Sequence, residues 1–211
     1  MTASRSNGLA LLTPEMKSKL EIYASLIGKW QPKINLIGPS TLADLWTRHF
    51  EDSYQLAELA GGWAEWVDLG SGGGFPGLVI AMTKGSAGRV HLIESDKRKV
   101  AFLREVSRET GIDVDIHVGR IESILPKLCE QTDFDVISAR ALAPLPLLVE
   151  YAWPALVKGA TGLFLKGRGL SAELTDLPPN NSLDIQIVAS RTEPGGSIVV
   201  VRAHDSRTNR V

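Results

Sequence analysis

The feature that most constrains the fold of this chain is a short apolar strand that runs directly into a glycine-rich turn. Residues 66–77 read WVDLGSGGGFPG, with the apolar residues Trp66, Val67 and Leu69 before alternate glycines and Pro76 after them. Glycine adopts backbone conformations that other residues avoid and lets a ligand approach closely, and proline is favoured in the first turn of a helix. The pattern therefore predicts a strand, a tight turn and a helix that together form a nucleotide-type cofactor site.

The spacing of the glycines distinguishes between cofactors. A dinucleotide-binding turn has the pattern G-x-G-x-x-G, which from Gly70 requires a third small residue where this chain has Phe75. The pattern that fits is Asp68-x-Gly70-x-Gly72-x-Gly74, the acidic residue and alternate glycines of Rossmann-like enzymes that use S-adenosylmethionine (AdoMet). Such a turn holds no pyrophosphate, so its backbone can approach the amino-acid end and the ribose of AdoMet. The turn alone leaves open a plain strand-to-helix connection without a ligand.

Length and composition are those of one α/β domain with a short addition. The chain has 211 residues, of which 44% are hydrophobic and 22% charged, and its apolar runs are too short to span a membrane. No secretion signal is recognisable, and the single Cys129 excludes an intramolecular disulfide. Cys129 also has no His or Cys at ligand spacing. We therefore expect a cytoplasmic protein that is a monomer, has no membrane part and holds no metal.

The net charge of −1 argues against a protein that grips bare nucleic acid over a wide surface. Any contact with RNA must then be local. Basic residues cluster in three places, which are Lys97 to Lys99 with Arg104 and Arg108, Lys166 with Arg168, and Arg202 with Arg207 and Arg210. A solvated helix face is the simpler explanation of the first cluster.

The order of helix and strand patterns divides the chain into three parts. Residues 1–62 carry two helix patterns, one from Thr13 to about Trp30 and one over residues 42–56, and should form a helical extension packed on the core. Residues 63–203 alternate strands and helices and should form the AdoMet-binding domain. Residues 204–211 should be a mobile tail.

Seven strands are expected in the second part, at residues 66–69, 89–93, 114–118, 134–138, 162–166, 183–191 and 197–202. The last two are joined by a turn at residues 193–196 and predict a hairpin. The predicted fold class is therefore α/β: a Rossmann-like class I AdoMet-dependent methyltransferase with a mostly parallel seven-stranded sheet that ends in an antiparallel hairpin.

Ligands of open α/β sheets bind beyond the carboxyl ends of the strands. Asp68 ends the first predicted strand, and Glu94 ends the second, where its carboxylate can accept both hydroxyls of a ribose or simply cap the next helix. Ile121 and Glu122 follow the third strand and can flank and bond an adenine ring, unless Glu122 only decorates a helix. Arg140 follows the fourth strand, and a buried strand does not end in an arginine that is neither charge-paired nor facing a ligand.

The segment after the fourth strand also excludes two kinds of methyl acceptor. Enzymes that methylate exocyclic amines of bases have Asn or Asp before Pro-Pro-aromatic at this point, and this chain has Ser-Ala-Arg-Ala at residues 138–141. Enzymes that methylate a pyrimidine carbon use a cysteine nucleophile, and Cys129 lies in a helix-like context without suitable neighbours. We therefore expect an acceptor atom that needs no covalent activation.

Several further segments form a recognisable set. They are Trp30 with Asn35-Leu36, Trp46-x-Arg48-His49-x-x-Asp52-Ser53, the glycine turn with Phe75-Pro76-Gly77, Ser138-Ala139-Arg140-Ala141 and Leu165-Lys166-Gly167. With this set the chain resembles, over residues 23–168, the bacterial 16S ribosomal RNA guanine-N7 methyltransferases, also called the glucose-inhibited division protein B family. Two positions depart from the family: Gly73 stands where we expect proline in many members, and Ala139 extends the usual Ser-Arg pair.

The resemblance implies methyl transfer from AdoMet to N7 of a guanine in 16S rRNA of the small ribosomal subunit, guanine 527 in the usual rRNA numbering. It also implies AdoMet contacts at Gly70, Phe75, Ile121, Glu122 and Arg140. Together with the strand ends and the turn, the predicted cofactor site is Asp68, Gly70, Gly72, Gly74, Phe75, Glu94, Ile121, Glu122 and Arg140. An enzyme that acts on another RNA, a small molecule or a protein is the alternative, and a non-catalytic RNA-binding module is a third.

Guanine N7 already carries a free lone pair, so its methylation requires in-line positioning rather than a general base. Arg140 and Lys166 are the candidates for positioning the acceptor through guanine O6. The candidates for contact with RNA are Arg48, His49, Lys166 and Arg168, with Phe75 or Trp46 as a stacking face. A histidine or a tryptophan in such a place more commonly has a structural role. For His49 and Trp46 both a structural role and a contact with RNA therefore stay open.

Overall fold

The computed structural model describes residue 9 and residues 12–84, 88–177 and 182–204. Its strands are β1 Glu65–Leu69, β2 Arg89–Glu94, β3 Asp115–Val118, β4 Val136–Arg140, β5 Thr161–Lys166, β6 Leu183–Ala189 and β7 Ser197–Ala203. They form one sheet in the order β3-β2-β1-β4-β5-β7-β6. The first five strands are parallel, and β7 lies antiparallel between β5 and β6. The predicted mostly parallel sheet with a terminal antiparallel hairpin is confirmed.

Helices cover both faces of this sheet. They are α1 Pro14–Trp30, α2 Asp52–Ala60, α3 Gly77–Lys84, α4 Lys97–Thr110, α5 Ile121–Gln131, α6 Leu145–Leu156 and α7 Leu170–Thr175. Successive residues of a strand point to opposite faces. Trp66 accordingly belongs to the buried cluster formed with α1 to α4, whereas Val67 and Leu69 belong to the cluster formed with α5 and α6.

The first helix follows the sequence signals closely. The side chain of Thr13 accepts a hydrogen bond from the Met16 amide at 3.2 Å, and Pro14 occupies the first helical position. The buried stripe of α1 includes Leu20, Tyr23 and Ile27, which join the same cluster as residues of the sheet. The helical extension thus shares a hydrophobic core with the sheet.

The second predicted helix begins later than its apolar pattern. Leu42 is 38% exposed and lies in a turn, and the helix starts at Trp46 with one wide π-helical turn, Trp46–Glu51, that leads into α2. The carbonyl of Arg48 in this turn accepts a hydrogen bond from the Arg140 side chain at 2.6 Å. The start of the helix is therefore shaped by a residue at the end of β4.

The carboxyl ends of β1, β2 and β4 meet at one edge of the sheet, next to α1 and the π-helical turn. The predicted tail begins at His204, whose amide donates to the carbonyl of Ser182 at 2.7 Å, and its other residues lie outside the described ranges. None of the helices within the described ranges is long and apolar enough to cross a membrane.

Candidate active site

The glycine turn after β1 has the backbone that its sequence predicts. Gly70, Gly72 and Gly74 have φ values of 60°, 57° and 92°, a region that other residues rarely adopt. The turn also has no room for side chains, because a Cβ atom on Gly70 would lie 2.6 Å from a methyl carbon of Leu142. Alternate glycines are thus required both by the conformation of the turn and by its close packing.

Asp68 supports this turn from below. Its carboxyl group is completely buried, accepts a hydrogen bond from the Ser138 hydroxyl at 2.7 Å and lies 3.3 Å from the Gly77 amide. Burial raises the pKa of Asp68 to about 7, although the bonds from Ser138, Ser71 and Gly77 oppose that rise. Asp68 lines neither of the cavities described below. It was predicted as a cofactor contact, and the structure instead places it beneath the turn.

Glu94 joins the end of β2 to the glycine turn. One carboxylate oxygen accepts the Gly72 amide at 2.8 Å and the other accepts the Asp96 amide at 2.7 Å. The Asp96 carboxylate in turn caps α4 through the Arg98 amide at 2.8 Å. Glu94 therefore fixes both the turn and the start of α4, and it still lines a cavity.

Two adjoining cavities open at this edge of the sheet. The Glu94 cavity has a volume of about 230 Å³, and its lining includes Glu94, Ile121, Glu122, Leu142 and Tyr151. The His49 cavity has a volume of about 360 Å³, and its lining includes residues 35–38, Thr41, His49, residues 70–73, Phe75 and Arg140. Gly70, Lys99 and Ala141 line both, so the two cavities are continuous along the carboxyl ends of the strands.

Arg140 lies at the far wall of the His49 cavity. Its Nη2 atom donates to the Arg48 carbonyl at 2.6 Å and lies 3.5 Å from the Asp52 carboxylate. Its Nη1 atom is buried and has no hydrogen-bond partner among the described residues. Burial lowers the pKa of Arg140, and the charge of Asp52 opposes this change. The sequence left open whether Arg140 is charge-paired or faces a ligand, and the structure shows the charge pair with Asp52.

Asp52 is the buried carboxylate that joins the helical extension to the terminal hairpin. Its Oδ1 atom accepts hydrogen bonds from Gln55 Nε2 at 2.7 Å, Thr192 Oγ1 at 2.6 Å and Ser190 Oγ at 3.2 Å. Only 4% of Asp52 is exposed. The turn between β6 and β7 is thereby held against α2, next to Arg140.

His49 packs against the glycine turn from the π-helical turn. Its ring centroid lies 4.8 Å from that of Phe75, and its Nε2 atom lies 2.7 Å from the Thr41 hydroxyl. Burial, together with the positive charges of Arg140 and Arg48, lowers the pKa of His49 to about 3. His49 is therefore neutral at physiological pH.

Comparison with known proteins agrees with this arrangement. The family described as rRNA small subunit methyltransferase G matches residues 16–199. The chain belongs to this family. A relative from Paramagnetospirillum magneticum, named ribosomal RNA small subunit methyltransferase G, is 48% identical over 89% of each chain. A relative of the same name from Methylobacterium nodulans is 43% identical over 90% of each chain.

Solved structures share the fold of this family member at low sequence identity. Cofactor-bound Rv0187 from MTB matches with a TM-score of 0.64 at 17% identity, over 95% of this chain and 94% of that one. A methyltransferase from Geobacter sulfurreducens matches with a TM-score of 0.59 at 18% identity, over 93% of each chain. These likenesses confirm the Rossmann-like methyltransferase fold.

Of the predicted cofactor residues, those that line the two cavities are Gly70, Gly72, Phe75, Glu94, Ile121, Glu122 and Arg140. Gly74 lines neither cavity, because the Tyr23 hydroxyl and Leu78 pack over it. Phe75 is only 6% exposed, and its ring is stacked on that of Tyr23 with centroids 5.2 Å apart. That stacking removes Phe75 as a free face for an RNA base.

The predicted RNA and acceptor residues are dispersed. His49 lines the cavity, and Arg48 is paired with Glu193 at 3.0 Å. The Lys166 ammonium is bonded to the Glu173 carboxylate at 2.6 Å and to the Ala143 carbonyl at 2.9 Å. Arg168 is exposed and lines neither cavity. Trp46 is 41% exposed, with its ring edge-on to Phe50.

Three functional candidates were missed in the sequence. Tyr23 lies on the buried stripe of α1 and donates its hydroxyl proton to the Gly73 carbonyl. A buried tyrosine hydroxyl needs a hydrogen-bond partner, so a tyrosine on the apolar stripe of α1 was the sequence signal for such a contact. Asp52 is part of the Trp46-x-Arg48-His49-x-x-Asp52-Ser53 segment, but no role for it follows from the sequence alone. Nothing in the sequence pointed to Tyr151. Across the described ranges, no group of three or more His, Cys, Asp or Glu side chains could hold a metal ion.

Proposed function

We propose that this protein transfers a methyl group from AdoMet to N7 of a guanine in 16S rRNA of the small ribosomal subunit, guanine 527 in the usual numbering. The observation that carries the proposal is the pair of continuous cavities at the carboxyl ends of β1, β2 and β4. They lie in a chain whose relatives are named methyltransferases of small-subunit ribosomal RNA. The choice of guanine N7 rests on the sequence resemblance and on the chemistry below.

The residues of the two cavities fit AdoMet. In the Glu94 cavity a carboxylate lies beside the side chains of Ile121 and Tyr151, which suits a ribose diol and the flat face of an adenine. In the His49 cavity the wall formed by residues 70–73 has almost no side chains. That wall suits the approach of the amino-acid end of the cofactor to backbone amides. We assign Asp68 and Gly74 to shaping this wall rather than to contact with the cofactor.

When bound, AdoMet supplies a methyl group on a positively charged sulfur. The chain then has to hold the acceptor in line and needs no general base, because guanine N7 carries its own lone pair. A neutral His49 is consistent with this role. We propose that the guanidinium of Arg140, which lines the His49 cavity, donates to guanine O6 and leaves N7 free for the methyl group.

Lys166 is proposed to position the acceptor indirectly. Its ammonium and the Glu173 carboxylate hold the segment between β4 and α6, since Lys166 bonds the Ala143 carbonyl and Glu173 accepts the Leu145 amide at 2.5 Å. That segment begins directly after Arg140. Arg48, Arg168 and the exposed Trp46 are proposed contacts with the RNA around the target.

The test is methyl transfer to purified small ribosomal subunits that lack the modification. The protein is incubated with methyl-labelled AdoMet and subunits, and the label is mapped by nuclease digestion and by cleavage at 7-methylguanine. We expect the label on guanine N7, a loss of about 100-fold or more in rate for Arg140→Met, and no loss for the exposed Arg108→Met. Label on any other atom, or on a small molecule or a protein instead of the subunits, would overturn the proposal.

A further inference from the structure

Helix α4 is strongly basic in a chain that is nearly neutral. Its 14 residues include five basic and two acidic side chains, whereas the whole chain has a net charge of −1. Two of the basic residues, Lys97 and Arg104, are exposed and have no acidic partner in the described part of the chain. We refer to these two residues as the α4 cations.

The other two arginines of α4 have acidic partners. Arg98 lies 3.1 Å from the Asp96 carboxylate, and Arg108 pairs with the neighbouring Glu109. Local pairing therefore uses these two charges and leaves the α4 cations available for an anion from outside the chain.

The electrostatics of α4 argues against a structural role for the α4 cations. The N-terminus of a helix is positively polarised, so cations in its first turn are unfavourable, and Lys97 is the first residue of α4. Arg104 is followed four residues later by Arg108, and like charges at that spacing repel each other on one side of a helix. A solvated helix face explains the exposure of both residues but not their sign. An external anion would offset both repulsions.

The α4 cations extend outward from the candidate active site. Glu94, which lines one cavity, accepts the Asp96 amide at 2.7 Å, and Asp96 caps α4. Lys99, in the first turn of α4, lines both cavities. Lys97 and Arg104 are seven residues apart, so they lie on one side of the helix and about 10 Å apart along its axis. The line of positive charge on α4 therefore begins at the mouth of the cavities.

Most cations on the other side of the cavities are used within the protein. Arg48 pairs with Glu193 at 3.0 Å, and Lys166 pairs with Glu173 at 2.6 Å. Arg168 is the exposed exception. An extended anion that reaches the cavities therefore meets more free positive charge along α4 than beside the hairpin.

We propose that Lys97 and Arg104 bind phosphate groups of the ribosomal RNA strand that carries the target guanine, an inference that rests on the proposed function. Phosphate groups recur along an RNA strand, and exposed lysine and arginine side chains bind them without reading the sequence. The strand passes along α4 and delivers the target nucleotide to the cavities at the N-terminal end of the helix. The α4 cations thus fix where the strand lies, and the cavities receive the base.

An acidic protein would offer the same negative charge to this surface. Interfaces between proteins, however, centre on buried aromatic and aliphatic side chains. The exposed large apolar side chains within the described ranges lie on other elements than α4. The exposed residue between the α4 cations on the same side of the helix is Ala101, which is small. Separate cations without large apolar neighbours suit a phosphate backbone better than a protein surface.

The first test places a negative charge between the α4 cations. Ala101→Glu adds a carboxylate four residues after Lys97 and three residues before Arg104, positions at which opposite charges attract. The variant should therefore be as stable as wild type toward urea. Its Kd for unmethylated small subunits should rise by about 10-fold or more at ~50 mM salt. Ala101→Gln, which is similar in size and uncharged, should bind like wild type, so misfolding cannot explain the difference.

The second test removes one positive charge at a time. Lys97→Met and Arg104→Met should each weaken the binding of subunits and lower the slope of log Kd against log salt concentration by about 1, the value for one phosphate contact. Arg104→Lys keeps the charge and should keep the slope. Arg108→Met is the matched control, because it makes the same change one turn away at a residue that is paired with Glu109.

Steady-state methylation separates this contact from the reaction itself. In Lys97→Met and Arg104→Met the KM for subunits should rise while kcat stays within about twofold of wild type, because a phosphate contact is the same before and during methyl transfer. The Kd of S-adenosylhomocysteine should also stay within about twofold, since neither residue lines a cavity.

Three outcomes would overturn the assignment to the α4 cations. The first is wild-type affinity and salt slope for Ala101→Glu, Lys97→Met and Arg104→Met. The second is an equal change of slope in Arg108→Met, which would indicate a general effect of charge. The third is weaker binding to small-subunit proteins free of rRNA with unchanged binding to 16S rRNA, which would assign the surface to a protein partner.

This inference and the proposed function fail in different ways. Binding of subunits is measured without methyl transfer, so absence of label from guanine N7 would overturn the proposed function, and the salt slopes would still decide the α4 contact. Label on N7 together with wild-type binding by all of the α4 variants would overturn the α4 contact and leave the proposed function standing.

Discussion

Asp68 is a residue whose protonation is strongly controlled by its surroundings. It has no exposed surface, and burial raises the pKa of its carboxyl group from 3.8 to about 7. The folded protein therefore holds the proton of Asp68 over a pH range in which the unfolded chain has released it. Stability from this group is complete below about pH 4 and is lost as the pH rises through about 7.

Asp68→Asn should remove this pH dependence. The amide oxygen can still accept from Ser138, and the side chain cannot ionise. Between pH 4 and pH 8 the free energy of unfolding of wild type should fall relative to Asp68→Asn by on the order of 2–4 kcal/mol. Urea unfolding of both proteins at each pH measures the difference. The exposed Asp44→Asn is the control, and parallel curves for Asp68→Asn and wild type would contradict the assignment.

The position of Asp68 shows what a sequence can and cannot predict about a single residue. Its place at the end of β1 was predictable from the apolar run before the glycines. Side chains alternate along a strand, so Asp68 shares the face of Trp66, toward α1 and α3 and away from the cavities. Which face α1 covers depends on contacts distant in sequence, such as that of Tyr23 with Gly73. The sequence shows that neighbouring residues of β1 point to opposite faces of the sheet, but it does not show which of the two faces α1 covers.

At the scale of elements, Asp52 is one of the carboxylates that tie the turn between β6 and β7 to α2; Glu58, which bonds Arg191, is another. Asp52 accepts hydrogen bonds from Gln55, Ser190 and Thr192 and faces the guanidinium of Arg140. Removing a carboxylate of this kind leaves several buried donors and a charge without a partner.

Asp52→Ala should therefore lower the free energy of unfolding by about 2–4 kcal/mol, and Asp52→Asn by about half as much because the amide keeps an acceptor oxygen. Asp52→Ala should also slow methyl transfer, since Arg140 loses the negative charge of its partner. Urea titration measures the stability, with Asp44→Ala in the preceding exposed turn as the matched control. Equal stability of Asp52→Ala and Asp44→Ala would show that the contacts of Asp52 add nothing to the fold.

The ion pair between Lys166 at the end of β5 and Glu173 in α7 gives a second prediction at this scale. Lys166→Met should lower the free energy of unfolding by about 1–3 kcal/mol, because the half-buried Glu173 carboxylate loses its cation. It should lower kcat for methylation by about 10-fold or more through displacement of the segment after Arg140. Cofactor affinity should change little.

Thermal or urea unfolding, kcat and S-adenosylhomocysteine binding are measured together for this variant. Lys158→Met is the control, since Lys158 also has a carboxylate partner, Asp133, at 3.0 Å, but is 43% exposed. A loss of kcat in Lys166→Met without any loss of stability would indicate that Lys166 touches the guanine itself.

Elements with local signals were the ones that the sequence predicted well. The cap of Thr13 and the proline at residue 14 fix the start of α1, and Gly111 ends α4 with a left-handed backbone. The π-helical start before α2 has no local signal, because the Arg48 carbonyl in that turn binds Arg140, 92 residues away in sequence. Pairing of Asp52 with residues of the hairpin was invisible for the same reason.

For the whole molecule, the charge of −1 shapes the choice of substrate. Several arginines near the site are already paired with acids, as Arg48 is with Glu193 and Arg191 is with Glu58. Among the described residues, these pairings leave fewer free cations around the site to attract the phosphates of an unfolded RNA.

Assembled small subunits should therefore be methylated faster than naked 16S rRNA. The folded particle presents the target in a fixed shape, whereas naked RNA must be held by charge alone. Initial methylation rates with both substrates, measured between about 50 and 200 mM salt, check this expectation. Across this range the rate with subunits should fall by a factor ~10- to 100-fold smaller than the rate with naked RNA. A naked RNA that reacts as fast as the subunit at the higher salt would contradict it.

The bonds of Asp52 also set an order of events while the chain is being made. The α1 residue Tyr23 and the glycine turn at Gly73 are 50 residues apart, so they can meet as soon as the first strands have emerged from the ribosome. Thr192 follows Asp52 by 140 residues, and Ser190 follows it by 138. The bonds from Asp52 to the hairpin can thus form only when the hairpin has been synthesised, so a nascent chain can pack its glycine turn on α1 well before the surroundings of Asp52 and Arg140 are complete.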